Sequence, residues 1–230
     1  MYFDTNYLLC VMLPALLLSG LAQMMVRNAY STWSKRANSS GLTGVDTARQ
    51  LMQKYGLNVA LEGTPQELGD HFDPRGQVVR FSPGVARQPS VASMAIAAHE
   101  FGHVQQYAQN SPLIAVRGFL IPAVQIGSNF SYILIIAGLL MNVLALSFLG
   151  LVLFGAAVLF SILTLPVELD ASRRAMNMLD GAGLLRSQED RSGAQAVLRA
   201  AAMTYLAAMV TSILQFAYYA MLVLGGRSRD

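Results

Sequence analysis

His99, Glu100 and His103 stand in Ala97-Ala98-His99-Glu100-Phe101-Gly102-His103, a His-Glu-x-x-His pattern. On an α-helix of about 3.6 residues per turn the two imidazoles lie one above the other on one face, spaced to ligate a single ion, and zinc suits that pair. Glu100 lies about 100° around the helix from His99. It is near enough to take a proton from a water beside the ion without being a ligand, which is the role of a general base. The chain has three histidines, and this pattern uses two of them. The rival reading, two packed histidines flanking a glutamate by chance, buries a carboxylate with nothing to compensate it, and that is costly.

A second stretch, Leu165-Pro166-Val167-Glu168-Leu169-Asp170-Ala171-Ser172-Arg173-Arg174, puts two carboxylates at the end of an apolar segment. Two histidines and one carboxylate form a common catalytic zinc set that leaves one coordination position open. Glu168 is the preferred third ligand and Asp170 the alternative. Without a metal, the pair reads as solvated acids balanced by Arg173 and Arg174 at a membrane boundary. His71, Asp170, Arg173 and Arg174 are candidates for orienting ligands or stabilising a developing oxyanion.

These groups need a scaffold, and the composition points to a membrane. Of 230 residues, 54% are hydrophobic and 13% charged, with a mean hydropathy of +0.44, far from soluble averages. A net charge of +3 is too small to argue for a nucleic-acid partner. The single cysteine, Cys10, excludes an intrachain disulfide. Tyr7 to Val26 is an apolar run of about 20 residues, enough for one span. Asp4, with no Lys or Arg before the run, argues against a signal peptide.

Arg27 to Arg117 carries nine basic and six acidic residues and reads as a catalytic domain beside the membrane. Within it, Asn38-Ser39-Ser40-Gly41 is a loop, and Thr43 to Asp46 resembles a capping box with Asp in place of Glu, opening a helix that Gly56 stops. Leu68 to Phe72 and Gln77 to Phe81 flank the turn Asp73-Pro74-Arg75-Gly76 as a β-hairpin. Ser90 is the expected N-cap of the motif helix, Ser93 to Ala108. Phe119 to Val167 holds no charge and suits two spans, about Phe119 to Met141 and Ser147 to Val167, with a turn at Asn142 to Leu146. Gln188-Glu189-Asp190-Arg191 reads as a solvated surface, and Leu198 to Leu224 as a last span.

The expected fold is therefore mainly α: an integral membrane protein with about four transmembrane helices and a small α+β zincin-like catalytic domain containing a short β-hairpin. The divisions are 1–26, first span; 27–117, catalytic domain; 118–167, two spans; 168–197, loop and helix with the third ligand; and 198–230, last span and tail. Two paired spans between the motif and Glu168 return the chain to the side it left. The basic excess of 27–117 places that side in the cytoplasm. A channel or transporter is disfavoured because the spans hold no charged residue apart from Arg199 at the very start of the last one.

From Asn38-Ser39-Ser40-Gly41-Leu42-Thr43-Gly44, through Asp70-His71-Phe72-Asp73-Pro74 and Ala97 to His103, to Leu165-Pro166-Val167-Glu168 and Ala171-Ser172-Arg173-Arg174, the chain resembles the YugP-like bacterial membrane-bound neutral zinc metallopeptidases. The resemblance implies a zinc-dependent endopeptidase of the bacterial inner membrane. It would hold one zinc per chain through His99 and His103, use Glu100 as acid and base, and act on peptides or membrane proteins. More distantly, Glu168 followed by Ala171 is similar to the Glu-x-x-Ala-Asp motif of CAAX prenyl endopeptidases and HtpX-type proteases, in which the Glu ligates zinc. Ser172 stands where those have Asp. The alternative is a non-catalytic membrane adaptor stabilised by a metal.

Overall fold

The computed structural model describes residues 5–225. The N-terminal tip before the first span and the tail after Gly225, which belong to the expected first and last divisions, lie outside the described residues. Helix α1, Thr5–Trp33, contains a π-helical turn at Leu8–Met12. Helix α2, Gly44–Tyr55, starts at a true capping box: Thr43 Oγ1 accepts from the Asp46 N–H at 3.1 Å, and the Asp46 carboxylate accepts from the Thr43 N–H at 3.2 Å. The helix ends at Gly56, which is left-handed at φ 63°, a conformation that favours glycine.

The expected hairpin is present, with its first strand running from His71 rather than Leu68 and its turn at 74–77, one residue later than read from the sequence. Strand β2, His71–Asp73, pairs antiparallel with β3, Val78–Phe81, placing Phe72 opposite Val79. A strand absent from the sequence reading, β1, Ala60–Gly63, adds in parallel to the other side of β3, giving the order β1-β3-β2. Val78, Val79 and Phe81 of the central strand are buried. A short helix α3, Pro83–Arg87, leads to the motif helix α4, Val91–Ala108. Ser90 caps α4, its Oγ accepting from the Ser93 N–H at 3.1 Å. The buried Asn38 amide donates to Ser90 O at 3.0 Å and Leu42 O at 2.8 Å, so the loop before α2 also fixes the start of α4.

Three long helices follow: α5, Pro112–Leu140; α6, Leu144–Gly181; and α7, Gln188–Gly225. The chain divides into two compact units. One comprises Gln23–Ile114 and Val167–Met203; the other holds Ala115–Pro166 with the flanking segments ending at Ala22 and beginning at Thr204. The first has a core of Leu51, Val79, Phe81, Val85, Met94 and Phe101 with Met178, Leu179 and Leu184. The second buries Ile135, Leu151, Phe154, Val158 and Val223 but also exposes Leu16, Leu17, Ile133, Val152, Leu159 and Met221. Helices apolar on all sides belong in a bilayer. Among the described residues, α1, α6 and α7 are long and apolar enough to cross one, while α5 carries two shorter apolar stretches, Pro112–Pro122 and Phe130–Leu140.

Two expectations are corrected. Helix α6 does not stop at Val167 but continues through Pro166 to Gly181. Val167 and Ala171 beyond the proline are fully buried, so packing outweighs the lost backbone bond. Asp190 is not part of a solvated surface: it is 1% exposed. Its carboxylate accepts from the N–H groups of Ser39 at 3.1 Å and Ser187 at 3.2 Å, while its own N–H donates to Ser187 Oγ at 3.0 Å. A capping carboxylate buried by a distant loop cannot be told from a solvated one by local composition.

Candidate metal centre

Helix α4 presents His99 and His103 one turn apart, with ring centroids 4.9 Å from each other and ring planes at 83°. Helix α6 brings Glu168, 3% exposed, against both. Glu168 Oε2 lies 3.3 Å from His99 Nε2 and 3.4 Å from His103 Nε2. One donor atom from each of the three residues falls within 4.8 Å of the others. Two imidazole nitrogens and a carboxylate oxygen aimed at one point form a donor set that fits zinc with a position to spare.

The outer nitrogens of both rings are engaged. Ser172 Oγ lies 3.2 Å from His99 Nδ1, and Gln106 Oε1 lies 3.0 Å from His103 Nδ1. Each ring thus turns Nε2 inward. Burial alone would depress the pKa of His103, but the Glu168 carboxylate opposes this and leaves it raised.

Glu100 is buried on the same helix but stands outside the convergent trio. Its Oε2 accepts from the backbone N–H of Phe72 at 2.9 Å, which ties β2 to the motif helix. The Phe72 ring meets Tyr107 edge to face at 5.5 Å and reinforces that tie. Nearby, Asp70 accepts from Ser82 N–H at 2.7 Å and Oγ at 3.0 Å. Burial raises its pKa against those bonds, and the charge of Glu100 adds to the rise.

His71 is exposed; its Nδ1 lies 2.8 Å from Gly69 O and its Nε2 3.4 Å from Arg80 Nη1, outside the trio. Asp170 is 8% exposed and accepts from Arg173, from Arg174 Nε at 2.6 Å and from Gln106 Nε2 at 2.9 Å. Its carboxylate faces these donors, and among the described residues it is not one of the converging groups. Arg174 also donates to Gln105 Oε1 at 3.0 Å and Gln109 Oε1 at 2.6 Å. Arg173 keeps 72% of its side chain exposed.

Ser172 was marked in the sequence as standing where the distantly similar proteases have Asp; two contributors were not singled out there, the Phe72 N–H and Gln106. Only Gln106 left a signal that could have found it. It follows His103 by three positions, the spacing of neighbours on one helix face.

A family described as "Putative neutral zinc metallopeptidase" matches residues 8–224. The chain is 37% identical over 219 residues to "Putative membrane protease YugP" of Bacillus subtilis (strain 168), an alignment that covers 95% of this chain and 97% of that protein. No solved structure matches it.

Proposed function

The chain belongs to the neutral zinc metallopeptidase family, and from that premise we propose that it is a membrane-bound zinc endopeptidase with His99, His103 and Glu168 as ligands and Glu100 as general base. The observation that carries this reading is the convergence of both Nε2 atoms on Glu168 Oε2. When bound, zinc supplies Lewis acidity, making water a nucleophile near neutral pH and polarising a carbonyl. Glu100 takes the proton from that water and delivers it to the leaving amine of the cleaved peptide bond. The Phe72 N–H holds Oε2 of Glu100 and leaves Oε1 to carry the proton. His71 and Arg173 are the candidate donors to the oxyanion, while Asp170 and Arg174 act behind His103.

The same convergence supports the four-span topology. If residues 99–103 and 168 share a metal, the chain between them crosses the bilayer an even number of times. Helix α6 is long and apolar enough to cross, so α5 crosses with it; α1 and α7 bring the spans to four, and the unit that carries the convergent residues is read as zincin-like. The nine basic against six acidic residues of Arg27 to Arg117 support a cytoplasmic face of the inner membrane for that domain. Substrates are then peptides or membrane-associated proteins within reach of that face.

The test is hydrolysis of casein, an unstructured substrate, by the detergent-purified chain. Cleavage that stops with 1,10-phenanthroline and returns with added zinc is the expected result. A protein that retains zinc yet cuts nothing would instead be a metal-stabilised membrane adaptor.

A further inference from the structure

Gln106 is fully buried and makes three hydrogen bonds to three different groups. Its Nε2 stands 2.9 Å from Val167 O and 2.9 Å from Asp170 Oδ2. A backbone carbonyl and a carboxylate can only accept, so both protons of the amide are committed to them. Turning the amide over would set its oxygen against two other oxygens. The orientation is therefore fixed by chemistry, and Oε1 is the atom left for His103.

An amide oxygen can only accept. His103 must therefore present Nδ1–H to it, at 3.0 Å, and Nε2 is the nitrogen that gives up its proton to a metal. Behind the amide, Arg173 and Arg174 hold Asp170 as an acceptor. Val167 precedes Glu168 and Asp170 follows it by two positions, so the amide that orients His103 also holds the Val167 carbonyl on one side of the third ligand and the Asp170 carboxylate on the other.

We propose that Gln106 is a positioning residue that selects the metal-binding nitrogen of His103 and registers Glu168 against it, with Asp170 and Arg174 acting through Gln106. This rests on the zinc-peptidase reading above. Asp170 then contributes to the site without touching the ion, and one polar residue couples two ligands from helices far apart in sequence. Partners that orient a ligating histidine commonly change metal affinity by about ten- to a hundredfold when removed.

The experiment uses detergent-purified full-length protein. Zinc dissociation constants are measured by competition with a chromophoric chelator for wild type, Gln106→Met, Asp170→Ala and Asp170→Asn, with circular dichroism as a check on folding. Gln106→Met is expected to weaken zinc by about ten- to a hundredfold. Asp170→Ala weakens it less, and Asp170→Asn, which keeps an acceptor for the amide, recovers most of that loss. On zinc-loaded wild type with ¹⁵N-labelled histidine, NMR is expected to show His103 bound through Nε2 with a slowly exchanging Nδ1–H. That result needs no variant to fold, and the chain's three histidines keep the spectrum assignable.

Wild-type affinity in a folded Gln106→Met, or His103 bound through Nδ1 in wild type, overturns the proposal. So does complete loss of zinc in Asp170→Asn, which would make Asp170 a ligand. Failure of wild type itself to bind zinc would overturn the peptidase reading as well, so the two failures are distinguishable.

Discussion

Gly102 lies against Ala171 so closely that a Cβ on the glycine would overlap the Ala171 carbonyl oxygen. This contact brings α6 down onto the motif helix between Glu168 and Ser172, the two residues that meet the histidines. The glycine between Phe101 and His103 is thus where the site is closed.

Gly102→Ala makes the first prediction. Alanine favours a helix over glycine by about 1 kcal/mol, but overpacking against a backbone atom costs about 1–3 kcal/mol and moves the helices apart. The melting temperature is expected to fall and zinc to bind more weakly, because Glu168 and Ser172 are displaced together. A melting temperature that rises by the propensity gain alone would show that the contact is slack.

Glu100→Gln separates catalysis from metal binding. A glutamine oxygen can still accept from the Phe72 N–H that now holds Glu100, so the helix and the strand stay joined. Zinc content is expected to match wild type while casein hydrolysis is abolished, since an amide cannot take the proton. Equal loss of metal in Glu100→Gln and His103→Ala would contradict the separation of roles.

Ser172 takes the position that is Asp in the distantly similar proteases, and its hydroxyl lies 3.2 Å from His99 Nδ1. Ser172→Ala removes that partner and is expected to weaken zinc by about tenfold. Ser172→Asp supplies a stronger acceptor and is expected to bind zinc at least as tightly as wild type. Competition titrations on the two variants check this, and indifference to both would leave His99 oriented by packing alone.

The capping box of α2 gives a pH test remote from the metal. The Thr43 hydroxyl is the main cause of the lowered Asp46 pKa. A depressed carboxylate contributes stability in full above its ordinary pKa and loses it as pH falls through the lowered folded value. Thr43→Ala is expected to cost about 1 kcal/mol at neutral pH. That gap narrows in acid, where Asp46 is protonated in both proteins. Thermal unfolding across pH checks it, and a gap constant down to pH values below the carboxylate range would deny the carboxylate any part.

Local signals were legible wherever the chemistry is local. Ser90 as N-cap, the Thr43 and Asp46 box, Gly56 as stop and the turn that follows Asp73 each act within a few residues. Tertiary partners were not. Strand β1, with Ala60 and Gly63 at its ends, lacks the alternation that marks a strand and exists because β3 offers an edge. The extension of α6 past Pro166 depends on the burial of Val167 and Ala171. Gln106 reads as one more polar helix residue until Asp170, 64 positions later, turns its amide. The His-Glu-x-x-His pattern stood out because two candidate ligands and a candidate base sit within five residues, whereas the proposed third donor had to be inferred from where the chain returns.

The central claim is that Glu168 completes a zinc site with His99 and His103. Elemental analysis of zinc per chain, on detergent-purified wild type beside Glu168→Ala, tests it most directly. About one zinc per chain in wild type, lost in the folded variant, is the predicted result. Equal zinc in both proteins would contradict it.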